Sequence, residues 1–224
     1  MQNTRMKKHW TSFMALALLF LFAFVSCGKS DPDNTGTEKQ EETEAPQEPQ
    51  GNSDPERCCL IVYYSYTGHC EEIVAALSSH LEADVLRIRE ADESADYNAN
   101  GYKLGSDMIN AINKAPDQAA SYPAIKSVDK EAGEYDTIIV VTPLWHSRMA
   151  AIMQTYLFQN SSKLKGKHIG LVVSSASSGI SGVEADAKRL LPDGKFYASS
   201  LWINHQNHSN RARLVKEWLE KNKI

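Results

Sequence analysis

Three short stretches carry the residue types that can do chemistry. The first, Ser65-Tyr66-Thr67-Gly68-His69-Cys70, follows an apolar run and precedes a helical pattern. The hydroxyls of Ser65 and Thr67, with the free amides of a helix start, suit an anion. Gly68 lets the backbone turn tightly and approach that anion closely. The stretch holds no Lys or Arg, so it lacks the lysine of a nucleoside triphosphatase loop, and no Gly-x-Gly-x-x-Gly accompanies it. A monophosphate held by neutral donors is the ligand it fits. The second stretch, Thr142-Pro143-Leu144-Trp145-His146, offers a large aromatic face. Trp145 reads either as a stacking surface for a flat ligand or as packing beneath its own loop. His146 is either a solvated loop residue or a proton donor. The third stretch, Ser174 to Gly182, is rich in serine and glycine. Cys70, at a helix start, is either a structural or phosphate-contacting thiol or a reactive one with a lowered pKa. His205 and His208 have no carboxylate near them in sequence and read as a polar loop leading to a helix, not as a metal site.

These stretches need strands to deliver them. Leu60 to Tyr64, Thr137 to Val141 and His168 to Val173 are continuous apolar, β-prone runs. Such runs are buried on both faces, as in parallel sheets. Asp84 to Ile88 alternates and reads as a further strand, and Phe196 to Ile203 as the last, less apolar one. Helical patterns lie between them. Ile73, Leu77 and Leu81 recur at spacings of four, as do Leu104, Met108 and Ile112. Ala150 to Phe158, Val183 to Leu191 and Arg211 to Lys221 complete the set. Alternating strands and helices predict an α/β domain, a parallel sheet covered on both faces, with ligands beyond the carboxyl ends of the strands. The three chemical stretches leave the three most apolar strands and should meet at that edge.

Here a resemblance becomes specific. Tyr64-Ser65-Tyr66-Thr67-Gly68-His69-Cys70 resembles the flavodoxin phosphate loop, Tyr-Ser-x-Thr-Gly-Asn-Thr. Thr142 to Trp145 resembles the second flavin loop of that family, and Ser174 to Gly182 the third. Tyr97 and Tyr122-Pro123 are similar to features of flavodoxin-like proteins with an insertion before the third strand. The resemblance spans 58–224. It implies a three-layer, doubly wound, five-stranded parallel sheet of order 2-1-3-4-5 with FMN at its edge. Carried onto this sequence, it assigns Ser65, Thr67, His69 and Cys70, with amides around Tyr66 and Gly68, to the phosphate. Thr142, Pro143, Leu144, Trp145 and His146 fall to the isoalloxazine, and Ser175, Ala176, Ser177, Ser178 and Gly179 to its other edge and the ribityl chain. Departures stand beside these matches. His69 and Cys70 replace the usual Asn and Thr, and a thiol is a weaker donor than a hydroxyl. Ser147 stands where the family's glycine lets a peptide flip toward flavin N5, and Ala150 replaces a common proline.

The chain begins differently. Arg5, Lys7 and Lys8 precede an apolar run from Phe13 to Val25. That run is short for a membrane span of about 20 residues and reads as an export signal. Phe24-Val25-Ser26-Cys27 resembles the lipobox of bacterial lipoproteins, which implies cleavage after residue 26 and lipid on Cys27. An ordinary signal peptide or an uncleaved anchor is the other reading. Residues 27–57 carry nine acids against three bases and no aromatic residue, the composition of a disordered tether. Ser30-Asp31-Pro32-Asp33 resembles surface-export signals of some Bacteroidetes lipoproteins, or is simply solvated linker. The domain at 58–224 keeps 18 basic and 19 acidic residues of the chain's 24 and 28. Such near-neutrality argues against nucleic acid as a partner.

Two function classes follow. The first is an exported, lipid-anchored FMN-binding redox protein. It would transfer electrons from a membrane redox partner or reduce a small acceptor such as a quinone, because NAD(P)H is expected in the cytoplasm. The second is a non-enzymatic, membrane-tethered binding module whose altered loops form a degenerate flavin site.

Overall fold

The computed structural model describes residues 59–224. The expected signal, Cys27, the tether and Cys58 lie outside them. Strand β1 (Cys59–Tyr63) is buried along its whole length and leads through the Ser65–Gly68 turn into α1 (His69–Ser78). Next come β2 (Asp84–Arg87) and, after a long connection, α2 (Lys103–Lys114). Strand β3 (Thr137–Trp145) turns back into the short β4 (Arg148–Met149), which feeds α3 (Ala151–Asn160). Then follow β5 (His168–Ser175), α4 (Ser181–Leu190), β6 (Lys195–Phe196), β7 (Leu201–Asn204) and α5 (Arg211–Asn222). Among the described residues no helix is long and apolar enough to cross a membrane.

The pairing is parallel throughout the main sheet, with β1 between β2 and β3, and β5 beyond β3. Alternation along each strand divides the core. Leu60 and Val62 of β1, Ile138 and Val140 of β3, and Leu171 and Val173 of β5 face one layer, shared with Ile109 and Ile112 of α2, α3 and α4. Ile61, Ile139, Val141 and Val172 face the other, with Ile73 and Leu77 of α1 and Val215, Trp218 and Leu219 of α5. The period of two in a strand sends alternate residues to opposite faces, so a continuous apolar run serves two helix layers. The three-layer, doubly wound fold and its order are as expected from the sequence.

Two details differ. Among the described residues the sheet has seven strands, not five. The expected last strand from Phe196 to Ile203 is interrupted: β6 pairs with His168 and Ile169, and β7 with Val172 to Ser175. Between them, the Ser199 carbonyl accepts the Trp218 indole N–H at 2.7 Å, which ties this stretch to α5. The second detail is β4, which forms a two-residue hairpin with the end of β3. Its turn residues, His146 and Ser147, both hold left-handed conformations, φ 47° and 63°. Such a pair gives the twist that a two-residue hairpin needs.

Candidate functional site

A cavity of about 820 Å³ opens at the carboxyl edge of the sheet. The β1–α1 turn supplies Tyr66, Thr67 and His69 to its lining. The turn can approach a ligand because Gly68 sits at φ 90°, a conformation that side chains rarely adopt. No side chain caps the first turn of α1, so its amides stay available, and Glu71 and Glu72 stand in that turn. The end of β3 supplies Pro143, Leu144, Trp145 and His146, and the end of β5 supplies Ser174, Ser175 and Ala176. The three loops do meet at the predicted edge.

Trp145 stands both at the cavity wall and against the aromatic residues beneath its loop. It lines the cavity, packs edge-on against Tyr64 with ring centroids 5.6 Å apart, and meets the tilted ring of Tyr97 at 4.7 Å. Tyr97 in turn meets Tyr66 edge-on at 5.1 Å. On the far side, Gly105 of α2 faces the indole: a β-carbon there would stand 3.4 Å from Trp145 Cε3. The indole is thus clamped on several sides before any ligand arrives.

The rest of the hairpin is fixed from outside the cavity. Asp186 of α4 is fully buried, accepts the Met149 amide N–H at 3.0 Å, and pairs with the Arg148 guanidinium. Arg189 also reaches Asp186, and donates to the side-chain Oε1 of Gln154 at 2.7 Å. Charged hydrogen bonds of this kind are strong and directional. Gly182, in the first turn of α4, lies so close that a β-carbon would come 1.9 Å from the Ser147 carbonyl oxygen.

Several sequence-predicted site residues lie elsewhere. The Ser65 side chain is buried, and its Oγ finds no hydrogen-bond partner among the described residues. Ser65 borders a separate hollow of about 260 Å³ with Arg87 and Glu90. Thr142 is fully buried, its hydroxyl donating to the Pro143 carbonyl at 3.1 Å. Ser177, Ser178 and Gly179 are exposed but do not line the cavity, because Ser175 Oγ donates to the Ser178 carbonyl and folds the loop back. Cys70 corrects the reading of a thiol with a lowered pKa. It is buried in the α1–α5 core layer, and that desolvation raises its pKa strongly.

Sequence reasoning missed the other half of the lining. Tyr97, Asn98 and Tyr102 come from the long connection before α2, and Asn204, His205, His208, Ser209 and Arg211 from the end of β7, the turns after it and the first residue of α5. Arg211 forms an ion pair with Glu72 Oε2 at 2.9 Å and donates to the His208 carbonyl at 3.2 Å. The His208 and His69 rings are 4.9 Å apart. The available signal was the sequence His208-x-x-Arg211 directly after the last strand, at the same sheet edge as the other loops. No group of His, Cys, Asp and Glu among the described residues is arranged to hold a metal ion.

With this geometry in place, comparison with known proteins is informative. The chain is similar to a candidate flavoprotein from Bacteroides eggerthii, at 24% identity and TM-score 0.59, covering 75% of this chain and 98% of that one. A candidate flavoprotein from Bacteroides uniformis is similar at 21% identity and TM-score 0.57, covering 73% and 98%. A flavoprotein from Lactobacillus acidophilus, solved in complex with FMN, is similar at 18% identity and TM-score 0.54, covering 70% and 99%. No curated protein matches the chain. The family model described as flavodoxin matches residues 58–222, most of the chain and the whole of the α/β unit. The chain belongs to the flavodoxin family.

Proposed function

We propose that this protein binds FMN in the cavity at the sheet edge and works as a tethered redox protein, passing electrons from a membrane partner or to a small acceptor such as a quinone. The observation that carries the reading is the convergence of the Tyr66–His69 turn, the Pro143–His146 hairpin and Ser174–Ala176 on one cavity. Its volume of about 820 Å³ lies within the range of small-molecule and cofactor sites, roughly 300–1,000 Å³. The group also fits the donors present. The first turn of α1 is uncapped, and Thr67 and His69 line the cavity beside the same turn. A phosphate accepting from such donors would satisfy them. The FMN held by the similar Lactobacillus acidophilus flavoprotein supports the same choice of ligand.

The roles then divide by loop. Thr67, His69 and the α1 amides bind the phosphate. Pro143, Leu144 and Trp145 wall the flavin ring, and the Tyr97–Trp145–Tyr64 cluster keeps water from its inner side. Ser175 and Ala176 border the opposite edge. His146 stands exposed at the rim, where an imidazole can hold or release a proton. Bound FMN supplies the redox chemistry, while the protein supplies orientation and environment. Export and lipidation at Cys27 would place the donor in or near a membrane, since NAD(P)H is a cytoplasmic reductant.

An absorption spectrum with stepwise reduction, after equilibrium titration with FMN, tests this reading. A yellow protein that quenches flavin fluorescence and reduces reversibly is the expected result. No binding at tens of micromolar would overturn it in favour of a module with a degenerate site. Mass spectrometry of the mature N-terminus tests the anchor separately, by the presence or absence of lipid on Cys27.

A further inference from the structure

We infer that the phosphate subsite has a second, cationic wall carried by the start of α5, in which His208 and Arg211 act with Thr67 and His69 on a phosphate dianion. The inference rests on the flavin reading and adds what the β1–α1 turn lacks, for Ser65 to Cys70 contains no Lys or Arg. Four observations converge. Thr67, His69, His208, Ser209 and Arg211 line one end of the same cavity. The imidazoles of His69 and His208 face each other with centroids 4.9 Å apart, and His69 Nδ1 lies 3.5 Å from Thr67 Oγ1. The Nε2 of His208 is buried and has no partner among the described residues. Finally, both helices that meet here, α1 and α5, start without a side-chain cap.

Arg211 is already oriented. A guanidinium carries five N–H donors. One donates to the His208 carbonyl, and the ion pair with Glu72 Oε2 at 2.9 Å holds the guanidinium beside it at the cavity wall. Glu72 also lies 3.9 Å from His208 Nδ1. The other charged pair at this turn, Glu71 with Arg87, is turned to the β2 side. Glu72 therefore fixes the basic pair in place while phosphate is absent. α5 is held against α1 by Val215, Trp218 and Leu219 packing on Ile73 and Leu77. The two halves of the cradle are thus set by core packing, and neither is a free loop.

A phosphate contact is distinguished from a structural one by a ligand without phosphate. FMN and riboflavin are titrated into the full chain and into Arg211→Ala, His208→Ala and the double variant, with flavin fluorescence as the readout. Loss of a charged hydrogen bond should weaken FMN at least about tenfold in each single variant. Riboflavin affinity should stay within about twofold, which also reports that the fold is intact. Inorganic phosphate should compete with FMN, and not with riboflavin, in the unsubstituted protein, and compete more weakly in Arg211→Ala. FMN affinity unchanged by the substitutions, or FMN and riboflavin weakened equally, overturns the cationic wall alone. Failure of the unsubstituted protein to bind either flavin overturns the flavin reading first, and the wall with it.

Discussion

Cys59 and Cys70 sit under one apolar layer between the sheet and the α1–α5 pair, 5% and 1% exposed. Burial disfavours a thiolate, so the Cys59 pKa is pushed up from its ordinary 9.0 to about 12, and that of Cys70 rises as well. The folded state therefore holds these protons more tightly than the unfolded one. Their contribution to stability is complete below pH 9 and is lost as pH rises from 9 toward 12, at up to about 1.4 kcal/mol per pH unit per thiol. Urea unfolding at pH 8, 9.5 and 10.5 should show this decline, and Cys59→Ala should make it shallower. An identical slope in the variant would remove Cys59 from the explanation. At neutral pH, neither thiol should take up iodoacetamide in the native protein, while both should in urea. Rapid native labelling of Cys70, located by peptide mass spectrometry, would restore the reactive thiol that its place at a helix start suggested.

At the scale of elements, the cavity depends on a hairpin that no periodicity announces. β4 has two residues, and its turn is built from His146 and Ser147 in conformations that favour glycine or asparagine. What holds it lies on α4, far along the chain: Asp186 on Arg148 and the Met149 amide, and Gly182 against the Ser147 carbonyl. Asp186→Ala leaves the Met149 amide without its acceptor and the arginines without their counter-ion. Leaving the buried Met149 amide unsatisfied costs about 1–3 kcal/mol, which chemical denaturation would register, while the partly exposed arginines recover solvent. A loss under about 1 kcal/mol would show that the network is dispensable. Gly182→Ala acts by sterics alone. The added methyl displaces the Ser147 carbonyl, costing roughly 1–3 kcal/mol by overpacking. FMN should bind more weakly too, because Trp145 and His146 move with the turn. An unchanged melting temperature together with an unchanged FMN affinity would refute that coupling. The same comparison explains what the sequence could tell. The strands β1, β3 and β5 were legible because they are buried on both faces and read as unbroken apolar runs. β4 and the break between β6 and β7 were not, because their causes are long-range: an aspartate 37 residues from Met149, and a tryptophan 19 residues from Ser199.

At the scale of the whole molecule, the site was half legible. Loops that follow a strongly apolar strand announce themselves, and Tyr66, Thr67, His69, Pro143 to His146, Ser175 and Ala176 were all found that way. Tyr97, Asn98, His208 and Arg211 were not, since they reach the cavity from a long connection and from the turn that leads into the last helix, where no strongly apolar strand points to them. Every one of these residues, and both core layers, falls between residues 59 and 224. The composition of residues 27–57, acidic and without aromatic side chains, gives that stretch nothing with which to extend the core. A chain beginning at Cys58 should therefore fold and bind FMN as the longer chain does. Its unfolding free energy should agree within about 0.5 kcal/mol, the scale of changes remote from packed contacts, and its FMN affinity should agree within about twofold. Net charge gives a second readout, because residues 58–224 are close to neutral while residues 27–57 are strongly acidic. Any salt dependence of association with a basic partner should diminish when residues 27–57 are removed, while flavin affinity stays put. A shortened chain that unfolds early or loses FMN would mean that residues before 58 complete the domain.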